Sequence, residues 1–428
     1  MRGMYDNLNV LVLGGGLSGA WAARLLLSRG CTVTVLDEKA ELEIKCLREM
    51  PDERFDVCVA SPAFALNHPW ITVCAERGVP VISEMALGAS YWRGKILAVT
   101  GSKGKSSLVK FCADTLNLCG ITASPAGNYG IPLCQLVLEK PDVAWAVTEV
   151  SSFQMEHSPT FHPNIAILLN LQPDHLDRHA DLAEYKGLKL RMFANMNEHD
   201  YALLPHGFDA ENKLPVRVLC ERFGMDGEWC YEDGAVTGPS GFCLACDGTW
   251  FGNDVLGLAA AAAAAALTRA GLTPVQIRHG LEAFEPLAHR VQTIGVDTRG
   301  VTWVDDSKAT SLTALAAALK MVRKPVRLIA GGLLKENDLF FLKEVLAETT
   351  KKVYLIGQCA GEMADAWASV VPCEIYGTID RAVSAAAQDA QSDETVLLSP
   401  GTASFDQFNS YRERGDRFTQ LVRAVAGL

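Results

Sequence analysis

Short runs of branched aliphatic residues alternate with amphipathic or alanine-rich stretches along almost the whole chain: NVLVL, TVTVL, DVCVA, ILAVT, AWAVTEV, NIAILLN, VTWVD, VRLIA, KVYLI and ETVLLS. Alternation of this kind predicts parallel, doubly wound α/β sheets. At roughly 150 residues per domain, a chain of 428 residues divides into three, and breaks near 92 and 286 give domains 1–92, 93–285 and 286–428. From about 201 to 252 the pattern shifts to short polar and aromatic strands punctuated by Gly and Pro, as in GMDGEWCYEDGAVTGPSGFC, which predicts a small antiparallel insert in the central domain. The apolar stretch Val255 to Leu267 is mostly alanine and reads as a close-packed helix, too short for the roughly 20 residues a bilayer needs.

Composition narrows the partners. With 39 Lys plus Arg against 50 Asp plus Glu, the formal charge of -11 argues against nucleic acid or an anionic membrane as partner, so any anionic ligand must meet local cations. The start, MRGMYDNLNVLVLGGG, runs straight into a strand pattern with no visible export signal, so the chain is expected to stay in the cytoplasm. The 13 cysteines are expected to be reduced thiols. Cys243 and Cys246 have metal-knuckle spacing, with Cys220 and Cys230 upstream, but no second pair completes a zinc site.

Two glycine turns stand where phosphates bind. Gly14, Gly15, Gly16, Leu17, Ser18 and Gly19 form GxGxxG between a strand and a helix, and Asp37 ends the next strand where a carboxylate meets a ribose; alone, this favours NAD or FAD. After ILAVT comes a second loop, Gly101, Ser102, Lys103, Gly104, Lys105, Ser106, Ser107. Val99 stands where the strict Walker pattern wants glycine, yet amides to cradle phosphates, a lysine to reach them and a hydroxyl for magnesium are all kept. Further strand ends deliver Glu149; Asp174, His175, Asp177, Arg178 and His179; His289 and Arg290; Asp305, Asp306, Ser307 and Lys308; Lys335; and Ser404. A carboxylate and an imidazole at such an edge suit Mg²⁺, and a rim of cations and hydroxyls suits a carboxylate substrate.

In this order, GSKGKSS, TEVSSFQ, NLQPDHLDRH, AHR, DDSKAT, GGLLK and SPGTASFDQF resemble the Mur ligase family over nearly the whole chain, and SSFQ, DHLDRH, DSKAT and SFDQF resemble its D-glutamate-adding branch most. The resemblance implies a Rossmann-like first domain, a central P-loop ATPase-like domain and a Rossmann-like third. It implies ATP-driven amide formation between D-glutamate and UDP-N-acetylmuramoyl-L-alanine, through an acyl phosphate, in peptidoglycan precursor synthesis by a monomer. Leu17, Ser18, Asp37, Ser61, Asn128 and His175 would contact the UDP precursor. Gly101 to Ser107, Asn253, Arg290 and Asp306 would contact ATP. Ser106, Glu149, His175 and a carbamylated Lys189 would hold a pair of magnesium ions, with Lys105 serving the phosphates. Thr310, Lys335, Ser404 and Tyr411 would hold the carboxylates of the incoming amino acid, and His175 or His289 is a candidate base for its amine.

Several positions depart from the family pattern: Gly252, Asn253 and Leu256 stand where HNxxN is usual, Leu333 replaces an acid, Asp305 replaces Asn before DSKAT, and Ser107 stands where Thr is common. They leave open a ligase for another amino acid, such as L-glutamate. A non-catalytic UDP-sugar scaffold is a reading from another class, and a Rossmann oxidoreductase leaves GSKGKSS unexplained.

Overall fold

The computed structural model describes residues 3–39, 44–173, 175, 178–210, 213–322, 324–335 and 338–428. The chain falls into two compact units, Met1–Phe284 and Glu285–Leu428. In the first, β1 (Asn9–Leu13), β2 (Thr32–Leu36), β3 (Cys46–Leu47), β4 (Val57–Ala60) and β5 (Val81–Ser83) form a parallel sheet in the order β3-β2-β1-β4-β5. A second parallel sheet in the same unit, ordered β11-β10-β9-β6-β8-β7, consists of β6 (Lys95–Thr100), β7 (Ala123–Gly127), β8 (Trp145–Glu149), β9 (Ile165–Leu168), β10 (Tyr201–Pro205) and β11 (Leu219–Phe223).

Alternate residues of β6 serve two cores. Leu97 and Val99 pack with Leu108, Phe111 and the alanines 260 to 266, while Ile96 and Ala98 pack with Leu133, Leu136, Met192 and Phe193. A strand buried on both faces needs helices on both sides, and the alternating pattern supplies them. The first sheet joins this body through the helix Glu84–Tyr91, which packs on the helix Leu133–Glu139. Contact there is close: a Cβ on Gly88 would come 2.8 Å from the Leu133 backbone.

The antiparallel insert is narrower than 201–252. Among its described residues, only β12 (Cys230–Glu232), β13 (Ala235–Gly238) and β14 (Phe242–Ala245) pair antiparallel. YALLP and LCERF instead extend the parallel sheet as β10 and β11, because a nearly fully buried apolar strand such as Tyr201–Leu204 finds its partners beside β9. The helix Gly257–Arg269 lies between the two sheets, touching β12 and β13 on one side and β9, β10 and the helix Lys105–Leu118 on the other. Side chains no larger than a methyl let backbones approach from both directions, which explains the alanine run physically.

In the second unit, β15 (Gln292–Val296), β16 (Thr302–Asp305), β17 (Val326–Gly331), β18 (Thr350–Ile356), β19 (Cys373–Gly377) and β20 (Thr395–Leu398) are ordered β15-β16-β20-β17-β18-β19. Among the described strands of this sheet, only the edge strand β15 runs antiparallel. No helix among the described residues is long and apolar enough to cross a membrane.

Candidate functional site

The carboxyl edge of the second sheet is built around the loop that follows β6. Gly101 and Gly104 have φ of 150° and 84°, and a Cβ on Gly104 would stand 3.0 Å from Leu169, so both turns require glycine. Gly104 caps the helix Lys105–Leu118 with no side-chain hydrogen bond, leaving the first-turn amides and the positive end of the helix dipole directed at the loop, with Ser106 half-buried in that turn. Asn170, just past β9, staples the loop: its Oδ1 accepts from the Ser102 and Lys103 amides at 2.9 Å each, and its Nδ2 donates to the Lys103 carbonyl at 3.0 Å. Ser102 Oγ donates to the Gln172 carbonyl at 2.9 Å.

Two ammonium groups meet one carbonyl there. Lys105 Nζ donates to the Gly101 and Ser102 carbonyls at 2.8 and 3.0 Å, and Lys189 Nζ donates to the same Gly101 carbonyl at 2.8 Å. Lys189 is only 2% exposed and lies 4.3 Å from the Tyr185 ring centre. Beside them Glu149 ends β8, in register with Val99 of β6. Its Oε1 accepts from Asn128 Nδ2 at 2.8 Å, while Oε2 is buried with no hydrogen-bond partner among the described residues. A buried carboxylate oxygen left unmatched is costly, which points to a cation or donor as its proper neighbour.

His175 is exposed, with a left-handed backbone (φ 56°) and its ring centre 4.9 Å from that of Phe153. His179 is buried against Phe153 and Tyr185, its Nε2 2.9 Å from Ser152 Oγ, and burial lowers its pKa, so it is a packed neutral ring. Asp174 and Asp177 lie outside the described residues. Asn253 turns its amide inward, donating to the Trp250 carbonyl at 2.9 Å and accepting from the Leu256 amide at 3.1 Å, and so caps the turn before the alanine helix.

The turn after β1 is built differently. Gly14 has φ 92°, and a Cβ on Gly19 would come 1.8 Å from the Gly14 carbonyl oxygen, so the third glycine is fixed by helix-on-turn contact. Leu17 stands exposed and Ser18 half-buried in the first turn of the helix Leu17–Ser28. Asp37 accepts from the Gly15 amide at 2.6 Å and the Lys39 amide at 2.7 Å, so this carboxylate holds the turn itself. Ser61 follows β4 and donates its amide to the Leu13 carbonyl at 3.0 Å.

In the second unit, Thr310, Lys335, Ser404 and Tyr411 occupy the segments that follow the inner strands β16, β17 and β20. Asp306 is buried, accepting from Ser399 Oγ at 2.8 Å and the Val291 amide at 3.1 Å, and burial pushes its pKa to about 7. Arg290 precedes Val291 and is half-buried. Asp305 takes His289 Nδ1 at 2.7 Å and the Ser307 amide at 2.9 Å, and that hydrogen bond raises the His289 pKa. Leu333 exchanges backbone hydrogen bonds with Ala403, of 2.9 and 3.0 Å. Sequence reasoning missed Asn170 and Arg414, the latter 1% exposed and donating to Ser307 Oγ at 3.0 Å; position past a strand end was the available signal for Asn170.

A phosphate-loop sheet joined to one parallel sheet, followed by a further α/β unit, defines a phosphate-binding α/β protein. Two family models match: the Mur ligase middle domain over residues 99–219, and the Mur ligase, glutamate ligase domain over residues 289–401. The chain is 34% identical to the UDP-N-acetylmuramoylalanine--D-glutamate ligase of Koribacter versatilis, over 97% of both chains. It is also 34% identical to the ligase of the same name from Nitratidesulfovibrio vulgaris, over 99% of this chain and 98% of that one. The chain therefore belongs to the Mur ligase family. Its fold is similar to that of a UDP-N-acetylmuramate-alanine ligase from Thermotoga maritima (TM-score 0.63, 15% identity, 98% of this chain and 100% of that one). It is similar too to a MurF ligase of Thermotoga maritima in complex with ADP (TM-score 0.64, 16% identity, 99% and 96%).

Proposed function

We propose that this chain uses ATP to join D-glutamate to UDP-N-acetylmuramoyl-L-alanine, as a monomer in the cytoplasm. The observation that carries the reading is the convergence of the phosphate loop, Lys105, Lys189 and the unmatched Glu149 oxygen at one sheet edge. The full-length likeness to ligases named for this reaction supports it.

In this reading the turn after β1, with Leu17, Ser18, Asp37 and Ser61, takes the uridine diphosphate, and Asn128 and His175 face the sugar-peptide part. Residues 101–107 and Asn253 take ATP, Arg290 and Asp306 meet the nucleotide from the third domain, and Thr310, Lys335, Ser404 and Tyr411 hold glutamate. Residues 1–92, 93–285 and 286–428 act as precursor, nucleotide and amino-acid modules. The alanyl carboxylate attacks the γ-phosphate, giving an acyl phosphate and ADP, and the glutamate amine then displaces phosphate. Such phosphoryl transfer depends on alignment and charge neutralisation, which the loop amides and Lys105 provide.

Glu149 through Oε2, Ser106 through its hydroxyl, His175, and Lys189 once carbamylated would hold magnesium, which neutralises phosphate charge when bound. Glu149 and Ser106 fit a hard cation that keeps water and phosphate oxygens as its remaining ligands. The test is ADP release by purified protein with Mg-ATP and UDP-N-acetylmuramoyl-L-alanine, run separately with D-glutamate, L-glutamate and other amino acids, with product masses recorded. A response to D-glutamate alone is expected; silence throughout would overturn the reading.

A further inference from the structure

We infer that Arg178 is a positioning residue that sets the precursor-side loop, Ser61 to Phe64, in register with the phosphate-loop sheet. The inference rests on the reading above, in which Ser61 contacts the precursor.

The guanidinium of Arg178 is engaged on every side. Its Nε and Nη2 donate to the two oxygens of Glu156 at 3.1 and 2.8 Å, and its Nη1 donates to the Pro62 carbonyl at 2.8 Å and the Ala63 carbonyl at 3.4 Å. Its flat face lies 4.2 Å from the Phe153 ring centre. The Glu156 side chain is only 3% exposed, so the fork sits where a carboxylate needs a permanent partner.

The two residues after Glu156 continue the joint. The Ser83 amide donates to the His157 carbonyl at 2.6 Å, and Ser83 Oγ lies 2.5 Å from Ser158 Oγ. Residues 156–158 thus grip the first sheet just past β4, through Arg178, and at the end of β5. Adhesion between the two sheets does not depend on this joint, because the helix Glu84–Tyr91 is packed on Leu133–Glu139, and Cys134 and Val137 share the first sheet's core. What the fork adds is position. It fixes two carbonyls directly after Ser61, while the same segment, three residues upstream of Arg178, carries the left-handed His175. Lysine is a point charge and cannot satisfy a carboxylate and two carbonyls in one plane.

The test measures Arg178→Lys, and the double variant Arg178→Gln/Glu156→Gln, which removes both buried charges together and serves if the single change does not fold. UDP-N-acetylmuramoyl-L-alanine binding is titrated calorimetrically without ATP, and KM is measured for each substrate. The expected result is a Kd and KM for the precursor raised about tenfold, equal to about 1.4 kcal/mol, with KM for ATP within about twofold and kcat at saturating precursor retained. Precursor constants that stay unchanged, or that rise together with KM for ATP, overturn the inference. Absence of precursor binding by the unaltered chain would instead overturn the functional reading and take this inference with it.

Discussion

The first unit contains two glycine turns that use one backbone device with opposite electrostatics. After β1, the turn has Asp37 bonded to the Gly15 amide, and its third glycine is dictated by a 1.8 Å approach. After β6, two lysines converge on the Gly101 carbonyl and Asn170 holds the loop from outside. A turn held by a carboxylate recognises by shape and amide direction, as suits a diphosphate that is bound and released unchanged. A turn crowded with ammonium groups suits a phosphate whose charge is redistributed during reaction.

The sharpest way to break this contrast is to remove the charge from the second turn. Lys105→Ala is expected to lower kcat in the ADP-release assay by about 10²–10³-fold with little change in melting temperature; a loss under about tenfold would mean that this turn too works by shape. Lys189→Ala is expected to lose activity on a similar scale and to regain part of it with short carboxylic acids that replace a carbamate, and no regain would remove the carbamate from the account. On the other side, Gly19→Ala forces a methyl against the Gly14 carbonyl. It should cost about 3 kcal/mol of stability, read as a melting-temperature drop of about 6 °C or more, with precursor binding weakened before ATP binding. Asn170→Ala removes three hydrogen bonds from the second loop, and about tenfold in KM for ATP is expected at about 1 kcal/mol or less net for each. The smallest effect should come from Asp37→Asn, which keeps an acceptor for Gly15 and changes precursor affinity by about threefold, at roughly half the worth of a charge-assisted bond. A larger effect in that last variant would show that Asp37 carries more than the turn's shape.

Local pattern carried much of this architecture. Each of the strand runs from NVLVL to ETVLLS forms a strand, the alanine tract is a helix, and GSKGKSS leads from β6 into the first turn of its helix, because burial on both faces and glycine turns leave marks within a few residues. What stayed hidden depends on distance in sequence. Asn170 reaches back to Ser102, Arg178 to Pro62 and Asp305 to His289, and no periodicity encodes such pairs. The width of the insert was misjudged because LCERF, half-buried at a sheet edge, has the same polar composition as an antiparallel ribbon. Asp305, a departure from the family pattern, gains its meaning only from the imidazole it holds.

The alanine helix works as a shim. Seven methyl groups from Ala260 to Ala266, each 1% exposed or less, set the gap between the phosphate-loop helix and the small sheet, and at its start the Tyr231 ring stands where a Gly257 Cβ would be, 2.1 Å away. A larger residue in this run, even one that leaves every polar contact intact, must press either on the small sheet or on the second parallel sheet and the helix Lys105–Leu118. The position of the helix that begins at Lys105 is therefore gauged partly by the thickness of an alanine, and changes in core volume far from any polar group should be felt there as changes in turnover.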